Sequence, residues 1–307
     1  MKRAYGKRGF EKMAIRETKS RYAFLAFNYL FMIGMMVITL YPVLYVIFAS
    51  FSGSAELVRN GGKILLHPIG FSLDAYEKTF SNRNVLTGYM NTIFVVVVGV
   101  TLSMIVSSIG AYFLSRKGVM LKKPITMLIM FTMFFSGGMI PTYMTVRDLH
   151  LVGSLWSLIL PSLISTYNMI ILRTGFESVP QSLEESAKID GAQHIQILFH
   201  VILPLSKASL AVIALYYGVG YWNAWFNASL YLEGNVDKWP IQLVLRQILI
   251  VNDTNSMTQG VDISDVEQVG ESIKYATIVV ATVPILCVYP FIQRYFVKGV
   301  MIGAVKG

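Results

Sequence analysis

Acid–base, metal and nucleophilic chemistry are built from carboxylates, histidines and cysteines, and in this chain all of these but a single cysteine avoid the long apolar runs. The runs contain no Asp, Glu or His, which leaves general acid–base catalysis inside them without a candidate and a proton-coupled pump without a relay. His194 and His200 lie six residues apart, on different faces of a helix, and are unsuited to sharing a metal ion. The lone Cys287 sits within an apolar run, so no disulfide within the chain can form and no metal cluster is indicated. No G-x-x-x-x-G-K-[ST] phosphate loop occurs, so ATP cannot be the business of this chain alone. What remains is a mixed-charge group, Glu184, Glu185, Lys188 and Asp190, followed by Gly191 and closed by Pro204. Its chemistry is recognition.

The elements around that group are dictated by the missing charges. Of 307 residues, 54% are hydrophobic and 14% charged, against roughly 25% charged in ordinary globular proteins. No charge falls between Arg21 and Glu56, Arg83 and Arg116, Lys123 and Arg147, Asp148 and Arg173, Lys207 and Glu233, or Lys274 and Arg294. Each gap accommodates the ~20 residues a helix needs to cross a bilayer. The expectation is an all-α membrane protein with six spans, near 23–50, 89–114, 124–145, 154–172, 205–227 and 275–293. The first run is too long for the apolar part of a signal peptide and lacks a small-residue cleavage site.

Orientation follows from Lys and Arg. With the N-terminus inside, the segments 1–22, 115–123, 173–207 and 294–307 hold 18 Lys/Arg and 6 Asp/Glu, and the outer segments hold 8 and 11. That bias puts both termini in the cytoplasm. The basic segment 1–22 then reads as a topology and headgroup anchor, not a nucleic-acid site. Residues 51–88 form an external segment. The external loop 228–273 contains Trp239–Ile250, with apolar residues at helical spacing, and is either a lid over the bundle or a docking element. In the third span, Ser136-Gly137-Gly138 and Pro141 predict a break, either a packing kink or part of a pathway.

The segment 181–204 is cytoplasmic in this topology. Ser182-Leu183-Glu184-Glu185 has the S-x-x-E form of a capping box after Pro180. The spacing predicts a helix to about Asp190, a left-handed turn at Gly191, and a second helix from about Ala192. Ile195, Leu198, Phe199 and Ile202 would form one apolar stripe on it. The first helix is acidic, unlike the Lys/Arg-rich face of a lipid-bound interfacial helix, so a protein partner is indicated.

This pattern resembles the EAA loop of binding-protein-dependent ABC importer permeases, E-A-A-x-x-D-G-A followed by a Phe, an aliphatic stretch and L-P. It stands here as Glu185, Ser186, Ala187, Asp190, Gly191, Ala192, Phe199, Leu203 and Pro204, with Ser186 replacing the first Ala. The resemblance extends from about Tyr89 to the C-terminus and is strongest to maltose-type carbohydrate permeases of the complex-oligosaccharide branch. Asn91-Thr92, Asn168 and the tail 297–307 support it. It implies a type I importer permease fold, with a core at 89–294 and a cytoplasmic tail at 295–307, in a bacterial cytoplasmic membrane.

The resemblance also implies partners: a second, related permease chain, two ATPase subunits that carry the ATP and Mg, and an extracellular solute-binding protein. No cofactor is expected on this chain. Ser182, Glu184 and the loop residues above would couple to the ATPase, and Gly303, Ala304 and Gly307 of the tail would reach the same interface. The substrate would be a sugar or oligosaccharide; the alternatives are a non-sugar solute carried by the same machinery, or ion-coupled secondary transport. Aromatic rings and amides bind sugars, so Tyr216, Tyr217, Tyr221, Trp222, Asn223 and Asn227 are candidates, with Asn91, Gly138 and Pro141 along the pathway. The competing reading of the aromatics is an interfacial belt, and of the amides, packing between helices.

Overall fold

A computed structural model describes residues 19–250, 271–288 and 290. The described residues are helical apart from turns, loops and one isolated antiparallel bridge between Ser52 and Phe71. The first helix, α1 (Lys19–Ser50), is apolar all round and runs on through Pro42. The Tyr41-Pro42 pair therefore lies inside it. Two short outer helices follow, α2 (Ser54–Asn60) and α3 (Asp74–Ser81). The central helix α4 (Arg83–Ser115) opens where the Asn82 side chain accepts from the Asn84 and Val85 amides, which satisfies two of the donors a helix start leaves free. Its 33 residues extend about 50 Å.

The third apolar segment is divided into α5 (Lys122–Phe134) and α6 (Met139–Asp148), which meet at 110°. The break falls on the predicted glycines, with Gly138 at φ +85°. The fourth segment is not one helix. It consists of α7 (Trp156–Ile159), a 3₁₀ turn at Leu160–Ser162 containing Pro161, and α8 (Thr166–Glu177), whose start is capped by the Ser165 hydroxyl. Proline lacks the N–H that would continue the ladder.

Next come α9 (Gln181–Ile189), α10 (His194–Ile197), a π turn at Leu198–Ile202 and α11 (Leu203–Leu205). The chain then turns by 88° into α12 (Lys207–Trp222). After α13 (Trp225–Tyr231) and α14 (Ile241–Ile250), the last described helix is α15, Glu271–Val288. Among the described residues, α1, α4 and α15 are long and apolar enough to cross a membrane alone, and the two bent pairs raise that number to five.

Packing is centred on α4, which contacts α8, α12 and α14. Val95, Ala111 and Leu114 of α4 join Leu172 and Phe176 of α8 and Ile213 of α12 in the main core. Ser103 and Ser107, both buried, keep the facing side of α4 narrow. Small residues replace the hydrophobic driving force that lipid cannot supply between helices. The predicted amphipathic stretch before residue 250 is α14, and it packs inward: Ile241, Leu243, Val244 and Ile248 are buried, and the Ile241 amide donates to Thr92 Oγ1 at 2.9 Å. By contrast, α1 buries only Ala49 and Ser50 and meets α15 through Tyr45 and Tyr275, with ring centroids 5.8 Å apart.

Candidate functional site

Two groups of the candidate residues gather in different places. The first is the surface element 181–204. Its first helix does not open on Ser182. The cap is Pro180, with no side-chain hydrogen bond, and the Ser182 carbonyl instead accepts from Ser186 Oγ at 2.9 Å. The capping box forms one helix later, between Gln193 and Gln196, and starts the second helix at His194 instead of Ala192.

The expected box pairs Ser182 with Glu185, and it does not form because the helix opens after Pro180, which leaves Ser182 inside its first turn. Glu184 has partners of its own. Its carboxylate is turned inward, 7% exposed, against Arg116, itself 10% exposed, and Lys188 Nζ lies 3.0 Å from the other oxygen. Burial alone would raise the Glu184 pKa, but hydrogen bonds and charge from Lys188 and Arg116 outweigh it and hold the carboxyl below its ordinary value of 4.5. A depressed carboxyl stabilises the fold above the unfolded pKa and loses that contribution as pH falls through the folded one. The wild-type advantage in melting temperature over Glu184→Gln is therefore expected in full at neutral pH. It should shrink once the pH drops below 4.5, and thermal melts of purified protein across that range will show it.

The turn at Gly191 forms as the residue types require. Gly191 has φ +83°, its amide donates to Lys188 O at 3.0 Å, and the Ala192 amide donates to Ala187 O at 2.9 Å. These are the two bonds of a Schellman motif. The apolar stripe divides: Leu198 and Ile202 are buried beside Ile197, whereas Ile195 and Phe199 are exposed. The π turn adds a residue to the helical repeat within a stripe drawn for an unbroken helix. Ser182, Glu185, Ser186, Asp190, Gly191, Phe199 and Pro204 face outward, with Ala187 and Ala192 half-buried against the core. Exposed Ile189 adds apolar surface that the sequence pattern did not single out. His194 is exposed, and its Nδ1 lies 3.0 Å from Tyr112 Oη. The tail residues Gly303, Ala304 and Gly307 lie outside the described residues, as do 251–270 of the external loop.

The second group surrounds a cavity of about 420 Å³ between α8, α12 and α13. Tyr217, Tyr221, Asn223 and Asn227 line it together with Tyr216, Asn168, Ser162 and Ser165. Tyr217 Oη is 2.7 Å from Ser107 Oγ and accepts from the Ser165 amide at 2.9 Å. Tyr221 Oη is 2.9 Å from Ser103 Oγ and donates toward the Ile159 and Ser162 carbonyls. Both tyrosine hydroxyls are thus engaged by protein, and the two rings are held stacked with centroids 6.5 Å apart. The lining offers ring surface, amides and hydroxyls, and among the described residues no charged side chain belongs to it.

The other pathway candidates lie elsewhere. Trp222 is on the opposite side of α12, packed with Tyr89 and the cluster around Val85 and Ile241. Asn91 ties down the 236–239 turn by donating to the Asp237 and Trp239 carbonyls at 2.9 and 3.2 Å. Gly138 and Pro141 are exposed at the α5–α6 bend, away from the cavity. Ser103, Ser107, Ser162 and Ser165 were missed. Hydroxyls at these places in apolar runs, and Pro161 beside the last pair, are the signal that points to them.

Comparison with known proteins adds an independent line. Residues 16–302 match the family described as "Binding-protein-dependent transport system inner membrane component". The chain is 46% identical over 286 residues to the polygalacturonan/rhamnogalacturonan transport system permease protein YtcP of Bacillus subtilis (strain 168), covering 91% of this chain and 96% of that protein. It is 42% identical over 293 residues to Protein LplC of the same strain, covering 95% and 98%. Among solved structures, it superposes with a TM-score of 0.83 and 31% identity on a chain of a bacterial ABC transporter involved in the import of the acidic polysaccharide alginate, covering 91% of this chain and 99% of that one. Family match, near-full-length relatives and shared fold agree, and this chain belongs to the family of inner membrane components of binding-protein-dependent transport systems.

Proposed function

We propose that this chain is a permease subunit of an ATP-driven importer that takes up an oligosaccharide delivered by an extracellular binding protein. In this reading it is not an enzyme. ATP and Mg are bound and turned over on two separate ATPase subunits, and a second, related permease completes the pathway. The chain crosses the membrane six times with both termini cytoplasmic, and residues 89–294 form its core. The segment 181–204 docks on an ATPase subunit, aided by the tail at 303–307, and moves when the ATPase pair closes on nucleotide. The spans then exchange outward-facing for inward-facing arrangements, an equilibrium biased by ligands on both sides of the membrane.

The observation that carries this reading is the helix–turn–helix element itself. It is joined to the core yet presents Glu185, Asp190, Ile189, Ile195 and Phe199 to the outside. Such a mixed apolar and acidic patch marks a protein contact surface. The cavity supports a sugar as substrate, because stacked aromatic surface with neutral amides and hydroxyls suits polyols. The similarity to a polygalacturonan/rhamnogalacturonan permease favours a polysaccharide fragment, with galacturonate oligomers the first choice.

Reconstitution of both permeases with the ATPase in vesicles tests this. Uptake of trigalacturonate that requires both ATP and the binding protein is the expected result, with arabinotriose as the neutral alternative. Uptake driven by an ion gradient without ATP would replace the reading with secondary transport, and acceptance of only non-sugar solutes would replace the substrate class.

A further inference from the structure

The coupling element and the cavity are joined by a single helix. Arg116 directly follows the last turn of α4. Its guanidinium reaches three elements: Nη1 meets the Glu184 carboxylate of α9, Nη2 donates to the Phe176 carbonyl of α8 at 3.1 Å, and Nε donates to Ser115 Oγ at 3.0 Å. It also lies over the Tyr112 ring, 5.1 Å from the centroid, and Tyr112 Oη contacts His194 of α10. Nine residues back along α4 is Ser107, which holds Tyr217, and one turn further is Ser103, which holds Tyr221. Ser107 to Arg116 spans about 14 Å of unbroken helix.

Glu184 is the one buried residue of α9. An ion pair, more than apolar packing, therefore fixes this helix to the membrane core. A buried pair that loses one partner leaves an uncompensated charge, and the planar fork of Arg holds a geometry that Lys cannot reproduce. We infer that Arg116 is a positioning residue for transport: it clamps the coupling element onto α4, so that displacement of α9 and α10 is carried along α4 to the tyrosine pair at the cavity. This rests on the importer reading above and adds to it which residue passes on the motion.

The experiment uses the assembled complex in vesicles and measures trigalacturonate taken up per ATP hydrolysed. Wild-type protein is measured first. If it shows no uptake dependent on ATP and the binding protein, the importer reading fails before the clamp is examined. Against an active wild type, Arg116→Gln and Glu184→Gln are each expected to lower the ratio by about tenfold, with the double variant no worse than either single one, as for two groups acting as a unit. Arg116→Lys keeps the charge beside Glu184 and loses the fork, so it should assemble and still lose several-fold in the ratio. A ratio within twofold of wild type for Arg116→Lys overturns the inference. So do losses that multiply in the double variant, and so does a fall in uptake matched by an equal fall in hydrolysis.

Discussion

Gly191→Arg is expected to leave the protein in the membrane and to abolish uptake, with Gly191→Ala retaining most of it. The two variants share one penalty and differ in another. Gly191 sits at φ +83°, where an L side chain costs roughly 1–2 kcal/mol, so both should melt at lower temperature by a similar amount. Among the described residues, nothing beyond its chain neighbours lies within 4 Å of a Cβ added there, so the position opens away from the described part of the chain. On the proposed coupling role, the extra harm of arginine comes from outside the chain, by holding the element away from a docked ATPase. A loss of about 1.4 kcal/mol in docking is already tenfold in affinity. Co-purification of the ATPase with each variant, alongside uptake in vesicles, separates the two penalties. Equal uptake by the Arg and Ala variants would remove Gly191 from the contact surface.

Gly99→Ala and Gly220→Ala are expected to move stability in opposite directions, although both flank the cavity tyrosines. A Cβ on Gly99 would lie 2.8 Å from the Tyr221 ring. The ring cannot retreat freely, because its hydroxyl is held by Ser103 and by the Ile159 and Ser162 carbonyls. Overpacking of this kind typically costs ~1–3 kcal/mol, and the forced shift would displace Tyr221 at the cavity wall. Gly220 lines the cavity with nothing within 4 Å of its added Cβ, so alanine there should gain roughly 0.5–1 kcal/mol from helix propensity. Its methyl would narrow the cavity and raise the KM for the sugar without lowering the melting temperature. A Gly99→Ala protein that melts and transports like wild type would mean that α4 and α12 do not approach as closely as described.

Within α9, the same residues show where local pattern suffices and where it does not. Gly191 ends the helix as predicted, because a left-handed residue and two backbone bonds are a property of a few consecutive positions. Ser182 does not cap it, although the S-x-x-E spacing to Glu185 is present, because the helix already begins after Pro180 and Ser182 falls inside its first turn. Glu184, in the same turn, is buried against Arg116, far away in the chain, and no local window of sequence contains that partner. The same holds for Ile195 and Phe199, whose exposure depends on a π turn and on what α10 packs against.

For the molecule as a whole, the amino-acid order alone determined the helical, membrane-embedded class and the positions of the apolar runs, since lipid tolerates neither unpaired backbone groups nor scattered charge. It also determined the helix–glycine–helix element that recommends a protein partner. Tertiary structure alone decided that Tyr217 and Tyr221 face a cavity while the adjacent Trp222 faces α14 and α15. It alone decided that the fourth apolar segment opens into a serine-lined turn beside them, and that α14 packs against α4 instead of standing free. In a helix that is apolar on every side, periodicity marks no buried face. Which face turns inward is then set by partners remote in sequence, here the small residues of α4.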